Sequence, residues 1–112
     1  MLKKILFVTA LGCAASLPLH ASRAAEPATY TIEMKNGTFA PQTLEVPAGT
    51  KIHLIVKNGE KVQTEFESYK LDQEQKIDSG ASIDASIGPL DAGEYPILDD
   101  LNPDATGKII AK

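Results

Sequence analysis

Two glutamates stand two residues apart in Thr64-Glu65-Phe66-Glu67-Ser68, and two adjacent aspartates, Asp99 and Asp100, follow Gly93-Glu94-Tyr95-Pro96-Ile97-Leu98. On an extended strand, residues i and i+2 share a face with Cα atoms ~6.6 Å apart, so Glu65 and Glu67 can bend toward one cation. Asp99 and Asp100 would approach it from an opposite loop. Three or four hard oxygen donors, with water completing the shell, suit Fe2+, Mn2+ or Ca2+. An anionic all-oxygen cage also favours Fe3+ over Fe2+, because the extra positive charge gains more from the same carboxylates. Acidic residues on a solvated strand face and in a loop would give the same letters without any metal chemistry.

Other side chains offer less. His53 falls on the outward face of its strand, beside Lys51 and Ile55, and reads as a surface histidine. Met34 shares an inward face with Tyr30 and Ile32 and reads as core rather than as a soft copper ligand. Phe66 is expected in the core by alternation, and Tyr69 and Tyr95 are expected to pack. The residues do not supply a Ser-His-Asp triad or a glycine-rich phosphate loop. Few aromatics and an acidic balance argue against a nucleic-acid platform.

The elements that must position these carboxylates read as strands. Alternation predicts Tyr30 to Met34, Thr43 to Val46, Lys51 to Lys57, Thr64 to Ser68, a short strand ending at Lys76-Ile77, Ser82 to Ile87, Glu94 to Leu98, and Gly107 to Ala111. Asn36-Gly37, Pro47-Ala48-Gly49, Asn58-Gly59, Ser79-Gly80 and Asp91-Ala92-Gly93 mark turns. Seven or eight short strands with no sustained helical period imply an all-β, Greek-key sandwich or barrel. Segments 58–62 and 99–106 are the loops long enough to hold a site, and such loops can gather at one end of a sandwich.

The chain has 112 residues, a net charge of −4 and a single cysteine, Cys13. Lys3 and Lys4 precede an apolar run from Ile5 to Leu11, and small residues follow to Ala25, the layout of a secretory signal peptide over residues 1–25. The run is shorter than the ~20 apolar residues a membrane span needs. Ala10-Leu11-Gly12-Cys13 is a poor match to a lipoprotein cleavage box, so lipidation at Cys13 is disfavoured. Residues 1–25 carry Lys3, Lys4 and Arg23 and no acidic residue, which leaves residues 26–112 more acidic than the whole. Such a domain repels nucleic acid and anionic lipid, and attracts cations or a basic partner. It is one domain without cysteine, so it can form no disulfide and no thiolate site.

The run from Phe39 to Asn58, FAPQTLEVPAGTKIHLIVKN, resembles the opening of a bacterial periplasmic cupredoxin-like domain; Pro89 to Ile97 and Gly107 to Ala111 resemble its end. Within that family the chain looks most like the proteins that accompany Ftr/Efe-type ferrous iron permeases, whose Glu-aromatic-Glu motif matches Glu65-Phe66-Glu67. The resemblance implies a cupredoxin fold. It sets Glu65 at the slot of the first copper histidine, Asp99 at the slot of the copper cysteine and Asn102 near the second histidine, with no counterpart for the methionine. Those replacements imply that this is not a blue-copper centre, that iron (Fe2+ or Fe3+) is the expected metal, and that copper and manganese are the alternatives.

The function implied is a periplasmic metal-binding protein of bacterial iron uptake. It would bind ferrous iron through Glu65, Glu67, Asp99 and Asp100, with oxidation of that iron as an open enzymatic role. The expected partners are a periplasmic iron-binding protein and an inner-membrane iron permease. The alternative is a metal-free acidic module that docks a basic partner of the transport system.

Overall fold

The structure, a computed structural model, describes Gly12 and residues 26–112. The expected signal peptide and the lipidation site at Cys13 lie outside the described residues. Among the described residues no helix is long and apolar enough to cross a membrane.

Among the described residues nine strands form two sheets: β1 (Thr29–Lys35), β2 (Thr38–Ala40), β3 (Thr43–Val46), β4 (Ile52–Asn58), β5 (Thr64–Ser68), β6 (Gln73–Ile77), β7 (Ser82–Ile87), β8 (Gly93–Asp99) and β9 (Asn102–Ala111). One sheet has the order β2-β1-β4-β7, the other β3-β9-β8-β5-β6. The fold is the expected all-β sandwich with more strands than the seven or eight expected. The addition is β2, which pairs with β1 across Asn36-Gly37, where both residues take positive φ, 53° and 70°. That backbone matches the twist of a tight hairpin and suits Asn-Gly.

Alternation built the core as expected. Ile32 and Met34 of β1, Ile52, Leu54 and Val56 of β4, Phe66 of β5 and Ile109 of β9 are all buried between the sheets. Phe39 meets Phe66 edge to face, with ring centroids 6.5 Å apart. Burying a side chain such as Phe66 contributes about 1.5–3 kcal/mol.

Two expectations need correction. Residues 102–106, expected in a loop, begin β9, which pairs with β8 through a register shift between Leu98 and Asp99. The turn-forming letters Asn102-Pro103-Asp104 hid a bulged strand end, where the ladder is broken but pairing resumes. Tyr69, expected to pack, is 78% exposed. Tyr95 does pack against the core, and its hydroxyl donates to the Asp91 carbonyl at 2.7 Å.

The loop before β5 is fixed from within. Asn58 is buried at the end of β4; its Nδ2 donates to the carbonyls of Val62 and Ile77 at 2.8 and 2.9 Å, and its Oδ1 accepts from the Glu60 amide at 2.8 Å. One side chain thereby ties β4, the 59–63 loop and the end of β6 together, which sets where β5 begins.

Candidate metal centre

Every residue of β5 is buried, including its two glutamates. Phe66 takes the core face, so Glu65 and Glu67 take the outer face of the second sheet, where they are only 5% and 7% exposed. Carboxylates are almost never this covered without a partner. On one side lies β6, where Lys76 stands opposite Glu65 and Glu74 opposite Glu67. On the other side lies the β8–β9 turn, where the Asp100 amide donates to the Glu65 carbonyl at 2.9 Å.

One carboxylate oxygen from each of Glu65, Glu67 and Asp100 lies within 4.8 Å of the others. Oxygens around a hard cation sit about 2.0–2.6 Å from it, so opposite ligands are separated by roughly 4–5 Å. The three groups are therefore close enough to share one ion with little movement. Without a cation the arrangement is uphill. Burial pushes the Glu65 carboxyl above its ordinary value, with Glu74 and then Asp100 adding to the push and Lys76 opposing it. Burial also raises Glu67; the Tyr69 hydroxyl pulls it back down, and Asp100 and Glu74 raise it further. The Tyr69 hydroxyl is itself raised, chiefly by its hydrogen bonding to Glu67. Glu67 Oε2 is buried and finds no hydrogen-bond partner among the described residues. A buried acceptor left unpaired costs free energy that a bound cation would offset.

Of the four expected ligands, the structure gathers Glu65, Glu67 and Asp100. Asp99 is placed elsewhere. It stands directly opposite Phe66 across β5 and β8, and so faces the core side. It is 4% exposed, and its Oδ1 accepts from the Glu65 amide at 2.9 Å and the Leu101 amide at 3.1 Å. Successive residues of a strand point to opposite faces, so if Asp99 faces in, Asp100 faces out toward Glu65.

Asp99 also lines a small cavity of about 60 Å³ with Thr64, Asn102, Ala105, Met34 and Phe39. Thr64, Asp99 and Asn102 line this cavity, and Glu65 does not. Its polar lining comes from Thr38, Glu60, Thr64, Asp99 and Asn102, with the Met34 thioether, whose sulfur accepts from Thr64 Oγ1 at 3.5 Å. A blue-copper site uses two imidazoles and a thiolate; the residues lining this cavity include no histidine and no cysteine. The single described histidine, His53, lies on β4, with its Nδ1 3.3 Å from Asp84 Oδ1.

Two neighbours escaped the reading of the sequence. Glu74 could have been found from the alternation in Gln73-Glu74-Gln75-Lys76 had β6 been taken as the hairpin partner of β5. Tyr69 gave no such signal, because its place outside the β5 ladder depends on the turn through Asp72, where φ is 52°.

The profile of the cupredoxin-like domain family matches residues 5–111. An uncharacterized protein of Rickettsia prowazekii is 40% identical over 80 residues, which is 70% of this chain; the chain spans 64% of that relative's length. Among solved structures, amicyanin from Paracoccus versutus is 16% identical with a TM-score of 0.59, covering 82% of this chain and 87% of its own. Reduced auracyanin from Roseiflexus castenholzii is 13% identical with a TM-score of 0.63, covering 79% and 98%. The Cu-containing nitrite reductase of Thermus scotoductus is 20% identical with a TM-score of 0.60, covering 82% of this chain and 24% of its own. With nearly the whole chain matched by one family and the same fold recurring at low identity, the chain belongs to the cupredoxin-like domain family.

Proposed function

We propose that this chain is a periplasmic metal-binding protein of a bacterial iron uptake system, in which carboxylates on the outside of a cupredoxin sheet take the place of a buried copper centre. The observation that carries the reading is the convergence of Glu65, Glu67 and Asp100 within 4.8 Å around a buried, unpartnered Glu67 oxygen. Glu65, Glu67 and Asp100 bind Fe2+, and Asp99 braces the turn that presents Asp100. The site is not a blue-copper centre, because its donors are hard oxygens. Anionic oxygens stabilise Fe3+ more than Fe2+, so the same site favours loss of one electron from the bound iron to dioxygen. The exposed position of Asp100 leaves a route by which iron could pass to a permease or to a periplasmic iron-binding protein. Equilibrium dialysis under nitrogen against Fe2+, Mn2+ and Cu+ tests the reading. Saturable uptake of one Fe2+ per chain, lost in Glu67→Ala, supports it; no uptake by the wild type contradicts it.

A second reading, a metal-free module docking a basic partner, has its own support. Leu101 and Val62 are exposed apolar side chains near Asp100 and the cavity mouth. Partner capture that weakens with salt and persists in chelator would favour it.

A further inference from the structure

We propose that Glu74 is a fourth carboxylate of this centre, and that the four together select a trivalent hard cation over a divalent cation of the same size. The inference rests on the reading above that Glu65, Glu67 and Asp100 hold a metal.

The placement comes from the sheet. Glu74 stands directly opposite Glu67 in the β5–β6 ladder. Directly opposed residues have Cβ atoms about 4.5–5.5 Å apart and point to the same face. In β6 the side chains of Gln73, Gln75 and Ile77 are turned toward the covered side, whereas Glu74 and Lys76 are exposed. Glu74 therefore shares the outer face with Glu65 and Glu67, and Asp100 flanks the same strand from the other side.

Like charges directly opposite each other destabilise a sheet. A glutamine or lysine at position 74 would relieve Glu67, yet the chain places a third glutamate against a glutamate whose Oε2 is already buried and unpartnered. A cation between the two strands resolves the repulsion. Glu74 is also on an edge strand, since β6 ends its sheet. Its exposed side chain would close over an ion that first meets Glu65, Glu67 and Asp100.

The charge balance sets the preference. Four carboxylates with Lys76 beside them carry a formal charge of about −3, which matches a trivalent ion. Coulomb attraction grows with the product of charges, so each added carboxylate gains more from a trivalent than from a divalent ion at equal distance. Tb3+ and Ca2+ have nearly the same radius and the same taste for oxygen, so comparing them varies charge and little else.

Calorimetric titration of the wild type and Glu74→Gln with Tb3+ and with Ca2+ tests this. The wild type should bind Tb3+ at least roughly a hundredfold more tightly than Ca2+. Glu74→Gln should weaken Tb3+ by roughly tenfold and Ca2+ by less, so the ratio shrinks. Its metal-free thermal stability should equal or exceed that of the wild type, which separates a lost ligand from a damaged fold. Wild-type and Glu74→Gln chains that bind Tb3+ equally overturn the fourth ligand while leaving the three-carboxylate site standing. A wild type that binds neither ion overturns both.

Discussion

Asp99 and Phe66 stand directly opposite each other across β8 and β5, on the core side of the sheet. That pairing separates the two adjacent aspartates. Asp99 turns inward and fastens the Glu65 and Leu101 amides, while Asp100 turns outward to the carboxylates. Asp99→Ala removes the acceptor of both amides and should lower stability by about 2 kcal/mol, whereas Asp99→Asn keeps an oxygen there and should lower it much less. Urea denaturation of the two variants checks this; equal losses would contradict it.

Charge on the outer face makes the metal-free chain sensitive to pH. Glu65 and Glu67 are both raised above the ordinary value of 4.5 in the folded state. The folded state therefore holds their protons more tightly than the unfolded chain does. Their contribution to stability is fully present below 4.5 and is lost as pH rises through their raised folded values. Thermal melting in chelator should show a more stable chain near the acid end of this window than at neutral pH. Glu67→Gln should flatten that slope. An ion at a hundred times its dissociation constant should raise neutral-pH stability by about 2.7 kcal/mol.

Much of the fold was legible in the sequence because local rules decide it. Alternation placed Ile52, Leu54, Val56 and Phe66 inside, and Asn36-Gly37 marked a turn, though the short strand β2 that follows it was not read. Glu65 and Glu67 were legible for the same reason, since two residues on one strand share a face whatever surrounds them. The division of labour between Asp99 and Asp100 was not, because it depends on which strand residue meets Phe66 and on the shift between Leu98 and Asp99. A one-residue change of register flips every side chain to the other face, and no local pattern reports it. Glu74 was hidden in the same way, by a pairing that only the β5–β6 hairpin reveals.

The cavity beside Asp99 makes a separate prediction about copper. Thr64, Asp99 and Asn102 line one small space, yet they supply no imidazole or thiolate. Cu2+ added to the wild type should give no intense thiolate-to-copper colour. Thr64→His, Asp99→Cys and Asn102→His combined should give one, because they restore the two imidazoles and the thiolate such a site uses. A blue wild type, or a folded but colourless triple variant, would count against this placement.

Asn58 should matter out of proportion to its distance from the carboxylates. Asn58→Ala leaves the Val62 and Ile77 carbonyls and the Glu60 amide without their partner. A loss of about 2–3 kcal/mol is expected. Hydrogen exchange should quicken in residues 59–63 before it does in β4. Unchanged protection there would remove Asn58 from the account of how β5 is positioned.

Under the proposed function, iron binds the outward carboxylates rather than the inward Asp99. Anaerobic calorimetric titration with Fe2+ tests it most directly, comparing the wild type, the Glu65→Gln, Asp100→Asn double variant, and Asp99→Asn. Saturable binding to the wild type and to Asp99→Asn is expected, with loss of binding in the double variant. Binding that survives in the double variant but is lost in Asp99→Asn would contradict it, as would a wild type that takes up no iron.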